Sequence, residues 1–114
     1  MFPAAMRLSK TKDITAVLKR GRTLPSRYFL IRYLPNILSH HRVTVVAGLK
    51  ISKKATVRNR LKRQIREILK QELLAVNFKN YDIMILCQPD SLNQPYLKLV
   101  NFMADCLKPL KVMK

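Results

Sequence analysis

The chain has 114 residues, with 23 Lys plus Arg against 6 Asp plus Glu and a formal net charge of +17. Apolar residues make up 48% of it, enough for one folded domain and too many for a disordered basic tail. No apolar run approaches the ~20 residues of a membrane span, Met1 to Arg7 is too short for a secretory signal core, and two Cys with two His leave little for a disulfide framework, structural zinc or haem. A single cytoplasmic domain over residues 1–114 is expected, facing a polyanion. Nucleic acid fits better than an anionic membrane surface.

In chain order, a helix is expected from Ser9 to Arg20, with Ser9 as N-cap and Ile14, Val17 and Leu18 as its apolar stripe. Gly21 stands where a left-handed residue would end it. Arg22 to Arg27 reads as a connection containing Pro25. Tyr28 to Leu34 is a strand rich in aromatic and branched residues. Pro35 to His41 is a loop. Arg42 to Ile51 is a second strand region, broken near Gly48. Thr56 to Val76 is the longest helix. Asp82 to Cys87 is nearly all apolar, as a central strand would be. Pro89-Asp90-Ser91 ends it. A last helix starts near Pro95, with Tyr96, Leu99, Val100, Met103 and Leu107 on the face that packs. The order α-β-β(β)-α-β-α predicts an α+β fold, a two-layer α/β sandwich.

The charge is concentrated. Residues 1–70 hold 18 Lys/Arg and two acids, and residues 71–114 hold five Lys and four acids. Lys53 to Arg66 carries seven basic residues in fourteen and no acid. At about 100° per residue, Val57, Leu61, Ile65, Ile68, Leu69, Leu73 and Val76 share one side of the long helix. Asn59, Arg60, Lys62, Arg63, Arg66 and Lys70 share the other. Arg58 lies near the apolar side, but in the first turn, where a long side chain can swing clear. An ordinary solvated face would mix in acids for i, i+4 pairs. Here only Glu67 and Glu72 occur, at or beyond the end of the cluster. The pattern favours a docking face for a polyanion over a merely solvated face. A strand-like element precedes the helix, which counts against a helix-turn-helix and sequence-specific duplex DNA. A membrane-surface helix would need bulky apolar residues on its exposed side, and here the core consumes them.

The remaining reactive residues are less informative. His40-His41 lies in a polar loop without a neighbouring ligand, so solvent exposure is expected and a metal site is not. Cys87 and Cys106 read as reduced core residues. Asp13, Asp82, Asp90 and Asp105 show no clustered spacing and need only local roles. No nucleophile-base arrangement, phosphate-binding loop or HExxH is present, so no catalytic residue is assigned to this chain.

Gly48-Leu49-Lys50-Ile51-Ser52-Lys53-Lys54, followed by Arg58-Asn59-Arg60-Leu61-Lys62-Arg63-Gln64-Ile65-Arg66-Glu67, resembles the signature of the bacterial ribonuclease P protein subunit family. Arg7-Leu8, Asp13, Gly21-Arg22 and Phe29-Leu30-Ile31 are similar to the family too, so the likeness covers nearly the whole chain. The resemblance implies a left-handed β-α-β crossover, in a fold shared with a ribosomal-protein domain, against the usual right-handed rule. It implies partners: a catalytic RNA and precursor tRNA, whose 5′ leader is removed by the RNA with bound Mg²⁺. The protein itself would hold no cofactor and would be monomeric without RNA. It assigns RNA binding to Lys53, Lys54, Arg58, Asn59, Arg60, Lys62, Arg63 and Arg66. Two departures stand out. Only Ala55-Thr56-Val57 separates Lys54 from Arg58, where the family has a longer Gly-containing stretch. Ile14, Leu18 and Arg32 stand where aromatics commonly face the leader, leaving Phe29 as the leader-cleft candidate, with a core role as its alternative. A ribosomal or other structured-RNA-binding protein without a nuclease partner is the competing expectation.

Overall fold

The computed structural model describes residues 6–38, 40–75 and 80–108. Three helices, α1 (Thr11–Arg20), α2 (Ala55–Ala75) and α3 (Tyr96–Leu107), surround four strands, β1 (Arg22–Pro25), β2 (Phe29–Pro35), β3 (Arg42–Val46) and β4 (Tyr81–Cys87). The sheet order is β1-β2-β4-β3. The fold is α+β, as expected.

β4 is the interior strand that the apolar run Ile83 to Cys87 predicts. It pairs antiparallel with β2, Ile31 opposite Ile85, and parallel with β3, Val45 opposite Ile85. A parallel pair needs a long crossover, and α2 supplies it. Strand alternation then sorts the side chains. Phe29, Ile31, Val43, Val45, Ile83, Ile85 and Cys87 join Leu61, Ile65, Ile68 and Leu69 of α2 and Leu99, Met103 and Leu107 of α3 in the main core. Met84 and Leu86 point to the other face, against Leu8, Ile14 and Val17. So α2 and α3 form the expected two-layer sandwich with the sheet, and α1 adds a partial layer behind it. Of the predicted apolar side of α2, the side chain of Leu73 and all of Val76 lie outside the described residues.

Several local expectations are corrected. Ser9 does not cap α1. Lys10 is the N-cap residue, without a side-chain cap bond, and Asp13 in the first turn provides the negative charge that a helix start favours. Arg22 to Pro25 is not a bare connection but an edge strand, with Thr23 opposite Arg32. Pro25 is tolerated there because an edge strand leaves one row of N–H groups unpaired. The strand region after His41 stops at Val46, and Gly48 to Ile51 forms a turn in which the Ile51 N–H donates to the Gly48 carbonyl at 3.0 Å.

Gly21 follows α1 with φ −70°, not left-handed. Its reason is space. A Cβ there would lie 2.3 Å from the Val17 carbonyl oxygen and 3.0 Å from that of Tyr33. These are backbone atoms, so relief requires distorting the last turn of α1 and shifting it from β2. Gly21→Ala should therefore cost about 1–3 kcal/mol, as overpacking does, read as a lower urea midpoint with an unchanged m-value.

Candidate nucleic-acid interface

The basic residues of α2 are presented by its burial. Leu61, Ile65, Ile68 and Leu69 are all buried on one side. Asn59, Arg60 and Arg63 are fully on the outside, and Lys62, Arg66 and Lys70 are half-buried along the margin. Lys53 and Lys54 are exposed just before the first turn. Arg58 does not swing clear. Its Nη1 donates to the Ser52 carbonyl at 2.9 Å, and the Arg58 N–H donates to the Lys54 carbonyl at 3.2 Å. Ser52 Oγ in turn accepts from the Lys54 N–H at 3.1 Å. These bonds tie the Ser-Lys-Lys turn to the helix.

The electrostatics reinforce one another. The first turn of α2 holds no acid, so unpaired helix N–H groups and cationic side chains add fields of one sign. Among the described residues, none of Lys53 to Arg66 forms an ion pair; the pairs lie at Arg27–Asp90, Arg42–Asp13, Arg42–Asp82 and Lys108–Asp105. The margin continues towards the sheet. Burial raises the Cys87 thiol pKa to about 12, with the nearby Lys62 charge opposing that rise. Arg66 faces a groove shared with Arg7, Ser9 and Thr44 along the outer edge of β3. The Leu8 N–H donates to the Val43 carbonyl at 2.9 Å and holds the N-terminal segment there.

The opposite sheet face forms a second surface. Register places Leu30, Leu86 and Val46 in one row across β2, β4 and β3. Val46 in this row is 39% exposed, and Leu18 on α1 is 48% exposed. Phe29 is not on this surface. It is 0% exposed, in the core with Tyr28 and Phe102. Strand alternation is the reason: Phe29 shares the α2 and α3 side with Ile31, while Leu30 and Arg32 take the α1 side. Phe29 therefore is a core residue and cannot stack on a base.

Arg32 has a structural task. Its Nη2 donates to the carbonyls of Leu18 at 2.8 Å, Gly21 at 3.1 Å and Val17 at 3.4 Å, and its Nη1 donates to Thr23 Oγ1 at 2.8 Å. A guanidinium at a helix C-terminus satisfies orphan carbonyls and complements the dipole. Arg32 fixes the end of α1 against the sheet.

The other end of α1 is fixed by a group that local sequence did not reveal. Arg42 at the start of β3 donates from Nε and Nη2 to Asp82 at 2.8 and 2.6 Å, and from Nη1 to Asp13 at 2.8 Å. Asp82 also accepts from Asn36 Nδ2 at 2.9 Å. The Asp82 hydrogen bonds push the Arg42 pKa above its ordinary value. Asp13 and Asp82 lie far apart in sequence, and only the parallel register, Arg42 opposite Asp82, brings them to one guanidinium. Because Arg42 occupies these carboxylates, the pair does not suit a metal ion, and no group of three His, Cys, Asp or Glu among the described residues could hold one.

His41, expected in solvent, is 8% exposed. Its Nδ1 accepts from the Tyr81 N–H at 3.2 Å, which requires an unprotonated nitrogen. Burial first, then the His40 charge, lowers its pKa. Below pH ~6.5 the unfolded chain binds a proton that the folded chain resists. Stability should thus be full above that pH and fall on acidification towards the lowered folded pKa. His41→Asn, whose Oδ1 can accept the same bond, should lose less stability between pH 7 and pH 5.5, measured by urea unfolding at each pH.

Comparison with known proteins adds the decisive observation. A family model described as Ribonuclease P matches residues 2–111.

The chain belongs to the ribonuclease P protein family.

A Thermotoga petrophila "Ribonuclease P protein component" is 31% identical over 113 residues, covering 99% of this chain and 93% of that protein. An Azoarcus protein with the same description is 41% identical over 71 residues, covering 62% of this chain and 59% of that protein. The structure of a Staphylococcus aureus RNase P protein superposes with a TM-score of 0.82 at 25% identity, covering 96% of this chain and 98% of that one. The family assignment agrees with the Gly48 to Glu67 signature and with the mixed four-stranded sheet.

Proposed function

We propose that this chain is the protein subunit of ribonuclease P, binding the catalytic RNA and precursor tRNA while the RNA removes the 5′ leader. The observation that carries this is the one-sided cationic row of α2, unneutralised by any ion pair among the described residues from Lys53 to Arg66. Lys53, Lys54, Asn59, Arg60, Lys62, Arg63 and Arg66 contact RNA phosphates, and Arg58 chiefly orients the turn that carries the two lysines. The row at Leu30, Leu86 and Val46, with Leu18 beside it on α1, receives the single-stranded leader by apolar contact with its bases. Stacking on aromatics is worth roughly 1–3 kcal/mol per base, so a leader cleft without them should discriminate leaders weakly. Hydrolytic Mg²⁺ is held by the RNA, and this chain contributes charge neutralisation and positioning.

The test is direct. The chain is mixed with a bacterial ribonuclease P RNA transcript at low Mg²⁺ and given precursor tRNA. Release of the leader should speed up on adding the folded protein. No stimulation with an RNA shown to be active would favour a structured-RNA-binding protein without a nuclease partner.

A further inference from the structure

A second concavity lies on the flank of α2 away from Arg66. It is a half-open groove of about 400 Å³. Its rim is polar: Arg60 and Gln64, one helical turn apart on α2, and Asn93 and Gln94 from the loop after the 3-10 turn Pro89–Ser91. Its apolar lining comes from the exposed Pro95, the half-buried Leu92 and the buried Leu61. Asn93 is the one described non-glycine residue with positive φ, 69°. Asn tolerates this left-handed conformation better than most residues, and its side chain is exposed. Gln94 Nε2 donates to the Asp90 carbonyl at 3.1 Å, which holds the amide plane and leaves its oxygen as an acceptor.

This mixture differs from the rest of the cationic row. Phosphates of a paired helix need cations only, whereas apolar side chains beside amides match a flat heterocycle with donors and acceptors at its edge. Sequence-specific RNA recognition relies on such splayed, unpaired bases. Arg60 belongs to both surfaces, so the groove is continuous with the proposed RNA face and carries complementary charge for the attached phosphate.

We propose that this groove takes one unpaired nucleotide of the partner RNA, its base against Leu92 and Pro95, its edge read by Gln64, Asn93 and Gln94, and its phosphate on Arg60. The inference rests on the RNA-binding reading above and extends the RNA-facing surface beyond the basic row.

The test uses the full chain and a bacterial ribonuclease P RNA transcript as probe. In the variant Q64A/N93G, glycine keeps the left-handed backbone without strain. Removing two amide hydrogen-bonding groups should weaken binding roughly 5- to 100-fold. The slope of affinity against salt should not change, because neither side chain neutralises a phosphate. One unpaired nucleotide, shielded from chemical probing by the wild-type protein, should become reactive. Asn93→Asp, which retains size and backbone conformation, should weaken binding as well by removing donors and adding negative charge. Equal affinity and equal protection in both variants would overturn the groove while leaving the basic row intact. A reduced salt slope would make it a phosphate site and overturn base reading. A wild-type protein that fails to bind the transcript would defeat both readings together.

Discussion

Arg42→Ala is expected to destabilise the protein by about 3 kcal/mol, since removal of one partner strands a buried charge. Asp82 is 5% exposed beneath the guanidinium and keeps only the Asn36 amide among its side-chain donors once Arg42 is removed. For a domain of this size the loss corresponds to a drop in Tm of roughly 10–20 °C. Asp13→Ala should cost much less. Asp13 is partly exposed, and its removal leaves Arg42 bound to Asp82 through two hydrogen bonds. The contrast separates a buried clamp from a surface ion pair, which is worth about 0–1 kcal/mol. The Asp13 variant has a second readout. Without its link to Arg42, the start of α1 is freer to shift on the sheet, and Leu18 of the same helix shifts with it. Leader affinity should fall even where Tm hardly moves. Thermal unfolding and leader-binding titrations read the two effects separately. A loss below ~1 kcal/mol for Arg42→Ala would show that solvent reaches Asp82 after all.

Replacing Arg60 and Arg63 together with Ala should have the largest effect on RNA binding. Each phosphate no longer neutralised reduces the slope of log affinity against log salt by about 0.7–0.9. Removing two cations should flatten it by ~1.4–1.8 and weaken binding about 10- to 1,000-fold at low salt. Both side chains are exposed and form no ion pair among the described residues. The free protein should keep its stability, or gain slightly from reduced repulsion. Titrations of the transcript at several salt concentrations, with thermal unfolding alongside, check both parts. An unchanged slope would remove the α2 row from the RNA interface.

These predictions differ in how far they were legible in the sequence. The α2 row was legible because helical periodicity is local. Knowing that Leu61, Ile65, Ile68 and Leu69 must be buried places Asn59, Arg60 and Arg63 outside without knowledge of the partners. The central position of β4 followed in the same way from its unbroken apolar run. Arg58 was only half legible, since its place near the apolar side was evident but its bond to Ser52 depends on how the turn folds back. The Arg42 clamp was not legible. Its acids looked isolated because nothing local relates Asp13 to Asp82, and the link exists only through strand register.

Phe29 and Leu30 show the same division at single-residue scale. An aromatic in a strand can serve a core or a cleft, and a shift of one residue exchanges the two faces. His41 and Gly21 are similar. A polar loop suggests exposure, and a glycine after a helix suggests a left-handed turn. Packing against Tyr81 and against the carbonyls of Val17 and Tyr33 determines otherwise.

By itself, then, the sequence determined the net charge of +17, its concentration in residues 1–70, the amphipathic α2 and the signature of the family. All of these arise from composition or from spacing within one element. Tertiary structure alone decided which sheet face stays open, that Arg32 and Arg42 secure the two ends of α1, and that the Asn93 loop lines one groove with Arg60. Those outcomes depend on strand register and on packing between distant segments, where no local periodicity operates.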